Sequence, residues 1–221
     1  MWELVKAGGW LMVPLVLCSI CTLAISIERF IRLRRAGIVP DALMMKKGRD
    51  LDTVLDELEG QPKSANSTLG YIFRDGVDGY AQGEAYARAQ MEATASREIG
   101  YLEKNINFLG TLSAVAPLLG LLGTVLGIIE SFLTLDFGSN SNPTMMIPGI
   151  SKALITTAAG MVIAIPALFA YRYFQRLVQE YVAELEQQST LFHAALFFQK
   201  KNRAIEPVQP VNEAETEQKA G

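Results

Sequence analysis

Three stretches of this chain carry no charged residue: residues 7–27, 105–129 and 153–171, which are 21, 25 and 19 residues long. A bilayer core takes about 20 apolar residues in a helix, so each stretch is long enough to cross one. At 221 residues the chain has the length of an ordinary soluble domain, but 50% of it is hydrophobic and only 19% is charged. Soluble chains carry roughly a quarter of their residues as charges. The pattern predicts an all-α membrane protein with three transmembrane helices.

The first stretch ends in Glu28-Arg29, followed by Arg32, Arg34 and Arg35. A cleavable leader would be shorter and would end in small residues, so this stretch reads as a retained helix. Orientation follows from the cations, which favour the cytoplasmic side. Between Arg29 and Lys104 there are 12 Lys and Arg, and 6 more follow Tyr171; only Lys6 and Lys152 lie on the other side. The expected topology has the amino terminus in the periplasm and the carboxyl terminus in the cytoplasm of a bacterial inner membrane. Trp2 and Trp10 lie near the outer end of the first span, where indole rings anchor at headgroups. Pro14 falls in its first turns, where it costs a helix little.

The predicted organisation is a first span over 7–27 and a cytoplasmic helical region over 28–82. One long helix follows over 83–135, whose transmembrane part runs from about 106 to 135. Within the cytoplasmic region, apolar spacing predicts short helices over 41–59 and 67–80 with a loop between them. Glu84 to Lys104 is rich in Ala, Glu, Arg and Gln and has no proline. Good helix formers without a breaker join it to the second span, leaving Gly100 and Gly110 as the weak points. A short periplasmic loop over 136–148 leads to the third span, 149–171. That helix continues as a cytoplasmic extension over 172–199, and the tail 200–221 has little to bury and reads as disordered.

Several chemistries are excluded. A net charge of −3 gives no basic footprint for nucleic acid. Cys18 and Cys21 are small apolar residues of one span, and His193 is the only histidine, so no zinc ligand set exists. Gly120-Leu-Leu-Gly-Thr-Val-Leu-Gly127 lacks the Gly-Lys-Ser/Thr of a phosphate loop and lies inside a span. No nucleophile, base or paired acids suit an enzyme, and no cofactor is expected.

The informative residues interrupt the apolarity of spans two and three. Gly120, Thr124, Gly127 and Ser131 share one face of the second; Ala153, Thr157, Gly160, Ala164 and Ala167 share one face of the third. Stripes of small residues let helices pack closely in lipid. Thr124, Thr156 and Thr157 either bond back to their own helix carbonyls or line a hydrated path. Glu130 and Lys152 fall near the outer ends, as residues of a pore mouth or of the headgroup region, where Lys152 can snorkel. No carboxylate stands at the centre of any span. A proton path here needs an acid brought by another subunit.

The run Ala116-Pro-Leu-Leu-Gly-Leu-Leu-Gly-Thr-Val-Leu-Gly-Ile-Ile-Glu-Ser-Phe132 resembles the second-helix signature of the ExbB/TolQ/MotA proton-channel family. Pro148-Gly-Ile-Ser-Lys-Ala-Leu-Ile-Thr-Thr-Ala-Ala-Gly-Met-Val-Ile-Ala-Ile-Pro-Ala167 resembles its third. Three spans and an outside amino terminus are most like ExbB and TolQ. The resemblance implies a pentameric ring around ExbD/TolR-like single-span helices, whose membrane aspartate carries protons down the proton-motive force. Work then passes to a TonB- or TolA-like protein crossing the periplasm. It also implies that Thr124 and Thr157 line the pore, with Thr156 beside them and Gly120, Gly127, Gly160 and Ala164 packing close by. The family often has Glu where this chain has Lys152. The expected function is therefore an ExbB-like motor subunit energising TonB-dependent transport. The alternatives are a TolQ-like subunit of a Tol-Pal system and a non-conducting scaffold.

Overall fold

The computed structural model describes residues 8–46, 49–136 and 143–199, and all regular structure among them is helical. Three helices are long and apolar enough to cross a membrane. Trp2, Lys6 and the expected disordered tail lie outside the described residues. The helices are α1 (Met12–Arg32), α2 (Arg35–Ile38), α3 (Leu51–Gly60), α4 (Pro62–Ala65), α5 (Thr68–Gly79), α6 (Glu84–Glu103), α7 (Ile106–Asp136) and α8 (Ile147–Ala194). Short 3-10 turns cover Tyr80–Gln82 and Pro143–Met146, and a π-helical turn, Ala195–Gln199, ends the last helix. The chain divides into two compact units, residues 1–38 with 96–184 and residues 39–95 with 185–221.

In the first unit α1 begins five residues later than its apolar run. Gly9 there has φ +74°, a left-handed turn that a helix cannot include. From Met12 on, Met12, Leu15, Thr22 and Arg29 form the buried face. Met12 and Leu15 meet Ala116 of α7 and Ala164 of α8, with Leu119, Ala159 and Ile163 packed around them. The opposite faces leave Leu17, Ile20 and Leu23 of α1, Leu118, Leu121 and Val125 of α7, and Val162, Ile165 and Phe169 of α8 exposed. In a soluble protein so large an apolar surface would drive aggregation; on membrane-spanning helices it suits lipid tails or neighbouring helices.

The small-residue stripes form the seam between α7 and α8. A Cβ on Gly160 would lie 2.7 Å from the Ala116 carbonyl oxygen and 3.1 Å from Gly120 Cα. One on Gly120 would lie 3.1 Å from both the Thr156 carbonyl oxygen and Thr157 Cα. Backbone therefore touches backbone along this line, as close packing in lipid requires.

The predicted helix over 83–135 is interrupted once, at Lys104–Asn105. Neither Gly100 nor Gly110 is the weak point. Asn105 adopts φ +64°, the left-handed region that Asn enters more readily than other non-glycine residues. The Leu109 amide donates to the Asn105 carbonyl, so Asn105 starts α7.

The second unit is built on Leu51, Val54 and Leu58 of α3, Leu69, Ile72 and Phe73 of α5, Ala87 and Met91 of α6, and Phe192 and Leu196 at the end of the chain's last helix. The rings of Phe73 and Phe192 stack with centroids 3.9 Å apart. Of the short helices expected over 41–59, the described residues form one, α3. The loop expected before residue 67 contains a helical turn, α4, opened by Pro62 at its first position, where the missing N–H is no loss.

Ser67 caps α5: its hydroxyl, on a residue 1% exposed, accepts from the Gly70 amide at 3.0 Å and donates to the Ser64 carbonyl at 2.6 Å. Ser67→Ala is expected to cost about 1 kcal/mol, the usual value of an N-cap. Hydrogen exchange should report it as faster exchange confined to the α5 amides.

Candidate functional site

The seam between α7 and α8 brings Thr124 and Thr157 together. Their hydroxyls are hydrogen-bonded to each other across the two helices. Thr157 Oγ1 also donates to the Gly120 carbonyl at 3.0 Å, and Thr124 Oγ1 lies 3.4 Å from the same oxygen. With the Thr157 proton directed to that carbonyl, the Thr124 hydroxyl donates to Thr157. Both residues are half-buried, and the hydroxyl pair is part-buried. The absence of side chains at Gly120 and Gly160 makes this approach feasible, since a Cβ at either would press on the facing backbone. Gly127 serves the same seam one level on, where its Cβ would lie 2.8 Å from that of Ala153. Ala164 packs in the core with Met12, Leu15 and Ala116.

Thr156 points elsewhere. It is 1% exposed and donates to its own helix at Ala153, 2.8 Å away. A Cβ on Gly123 would lie 2.6 Å from Thr156 Cβ, so the residue fills the space that Gly123 leaves. Within this chain Thr156 is packed, whereas Thr157 is half-buried.

At the far end of the seam Lys152 Nζ and Glu130 Oε2 are 2.7 Å apart. The expected snorkelling lysine is thus an ion-pair partner. Ser131 is 2% exposed and bonds to the Gly127 carbonyl at 2.8 Å, which completes the stripe of α7. His193 lies in the second unit, where it lines a cavity of about 480 Å³ with Arg88, Met91, Glu92 and Ser189.

Two structural residues escape a reading of the sequence. Arg29 looks like one cation of the cluster that sets orientation, yet it is 2% exposed. Its Nη1 donates to the carbonyls of Tyr101 and Leu102 at 3.3 and 3.1 Å, the last turn of α6, where carbonyls lack helical partners. Beside it, Asn105 Nδ2 donates to Glu28 Oε2 at 2.9 Å, which fastens the break between α6 and α7 to the end of α1. A signal was present: Leu15, Thr22 and Arg29 are spaced by seven and so share one face. Arg29→Ala should lower stability by about 3 kcal/mol, since it strands the buried Leu102 carbonyl, frees the part-buried one of Tyr101 and removes charge-assisted bonds. Arg29→Lys should recover only part, because a single ammonium does not reproduce the planar fork. Thermal unfolding in detergent checks both.

These residues fall in a recognisable frame. A model of the MotA/TolQ/ExbB proton channel family matches residues 64–187, which include the whole α7–α8 seam. The chain belongs to that family. It is 34% identical over 215 residues to a putative biopolymer transport protein, ExbB-like 1, of Synechocystis, covering 92% of this chain and 80% of that one. It is 33% identical over 186 residues to the biopolymer transport protein ExbB of Salmonella typhimurium, covering 79% and 75%. It is 31% identical over 215 residues to the Tol-Pal system protein TolQ of Pseudomonas aeruginosa, covering 87% and 92%. The family is one of channels, and this member is a multi-pass membrane protein.

Proposed function

We propose that the protein is an ExbB-like ring subunit of a proton-driven motor in a bacterial inner membrane, with its amino terminus periplasmic and its carboxyl terminus cytoplasmic. The observation that carries this reading is the part-buried Thr124–Thr157 hydroxyl pair on the α7–α8 seam. Two hydroxyls offer donors and acceptors to a passing proton carrier but hold no titratable proton of their own. Residues 105–129 and 153–171 contain no acid, so the carrier is a carboxyl group on a partner. An ExbD-like single-span protein with a membrane aspartate is that partner. A pentameric ring of this chain surrounds it, and a TonB-like protein takes the work to outer-membrane transport. Distribution of the cations, with 18 of 20 on one side, supports the orientation.

Relatives named TolQ match nearly as well as those named ExbB, which favours one second reading: a ring subunit of a Tol-Pal system, working with TolR- and TolA-like partners. The two readings separate in cells. Expression in a strain lacking its own ExbB should restore TonB-dependent iron uptake, whereas restoring detergent resistance to a strain lacking TolQ instead would select the second. Reconstitution in proteoliposomes with an ExbD-like single-span protein tests what both share. Proton flux should require that partner, and its absence in every preparation would leave a scaffold that only packs helices.

A further inference from the structure

One acid and one base stand at the end of the seam away from the arginine cluster. They are Glu130 on α7 and Lys152 on α8, with Nζ to Oε2 at 2.7 Å. The turn before α1 is shaped to the lysine. Gly9, at φ +74°, would with a Cβ place it 2.3 Å from Lys152 Cε and 3.0 Å from Nζ, so the glycine leaves the space that the ammonium and its stem occupy. Lys152 Nζ thus lies beside the turn that precedes α1 and bonds to Glu130 of α7. Glu130 stands six residues after Thr124, and Lys152 five before Thr157. At 1.5 Å per residue the ion pair lies about 7.5–9 Å along the helices from the hydroxyl pair.

At that distance an uncompensated carboxylate would matter. Charge of one sign at a mouth with apolar walls raises the local concentration of counter-ions by one to three orders of magnitude. An ion pair with this exposure, 29% for Lys152 and 57% for Glu130, adds little to folding, so a helix staple is a weak account of it. We propose that Lys152 is the charge-compensating residue of the pore mouth. By holding Glu130 in an ion pair it keeps free cations from loading onto Thr124 and Thr157, so that protons pass only on the carboxyl group of the partner. The inference rests on the proposed function and adds a determinant of tightness to it.

The test uses the full chain in proteoliposomes under an imposed membrane potential, first without the partner. Lys152→Met should raise partner-free cation leak, read for H⁺ and Na⁺ separately, by about tenfold or more, the lower end of such focusing. Lys152→Arg, which keeps the charge, should stay tight. Adding Glu130→Gln to Lys152→Met should bring the leak back to that of wild type, because the unmasked carboxylate is gone. Unchanged leak in Lys152→Met, or leak that persists in the double variant, would overturn the inference; the second result would mean that the pair only fastens helix ends. Should Lys152→Met not assemble, judged by its elution profile, Lys152→Gln takes its place with the same expectation. Wild type with the single-span partner is measured in parallel. If it conducts while the Lys152 variants remain tight, the motor reading stands and this inference falls; if it conducts nothing, the motor reading falls, and the inference with it.

Discussion

Replacing both Thr124 and Thr157 by Val should nearly abolish partner-dependent proton flux while the protein still folds and assembles. Val fills almost the volume of Thr, so the seam keeps its packing and loses two hydroxyls. The hydroxyl–hydroxyl bond crosses two helices, but it is one bond among many contacts between them. A polar carrier moving past the pair loses partners each worth about 1–3 kcal/mol when desolvated. Two such losses in the barrier correspond to roughly a hundredfold slower flux or more. The single variants should each show a smaller loss, with Thr157→Val the larger, because its hydroxyl also holds the 3.0 Å bond to the Gly120 carbonyl. Thr156→Val provides the contrast. That hydroxyl bonds to its own helix and faces Gly123, so flux should stay close to wild type, with some loss of stability from the buried bond. Full flux in the double Val variant would remove Thr124 and Thr157 from the path.

The second large effect concerns Gly160. Its missing Cβ leaves room for the carbonyl of Ala116, 2.7 Å from where that carbon would be, and for the Gly120 backbone. None of these neighbours is a flexible side chain that could move aside. Gly160→Ala should therefore destabilise by about 1–3 kcal/mol through overpacking. Gly160→Leu should separate α7 from α8 and yield little correctly assembled protein in the membrane, read by fluorescence-detected size exclusion. Gly100 supplies the control in α6. A Cβ there meets nothing within 4 Å, and Ala is the better helix former by about 1 kcal/mol, so Gly100→Ala should be neutral or stabilising.

What could be read in the sequence was whatever depends on local pattern. Uncharged length marks the spans, and the spacing of Gly, Ala and Thr marks the seam because helical geometry fixes which residues share a face. Ser67 ahead of Leu69, Ile72 and Phe73 likewise marks the start of α5 within one residue. Contacts between helices are less legible. Thr156 and Thr157 are adjacent and chemically identical, and only the facing residues, Gly123 and Gly120 with Thr124, give them different work. Asn105 breaks a helix that its neighbours would continue, and its conformation is held by Glu28, 77 positions away in sequence. Arg29 sits in a run of cations that are otherwise exposed, and what buries it is a helix end elsewhere in the chain. Lys152 alone suggests snorkelling; Glu130 gives it an ion-pair partner, and Gly9 leaves room beside its ammonium.

The break at Asn105 has a mechanical meaning. An unbroken α-helix resists twisting, because its ladder of backbone bonds joins each turn to the next. Here the ladder stops between Glu103 and Ile106, and the two sides are joined by one left-handed residue and by the side chains of Glu28 and Arg29. If torque acts on α7, the expected route to α6 is therefore a pivot at Asn105, steadied by the last turn of α1, and not a solid shaft.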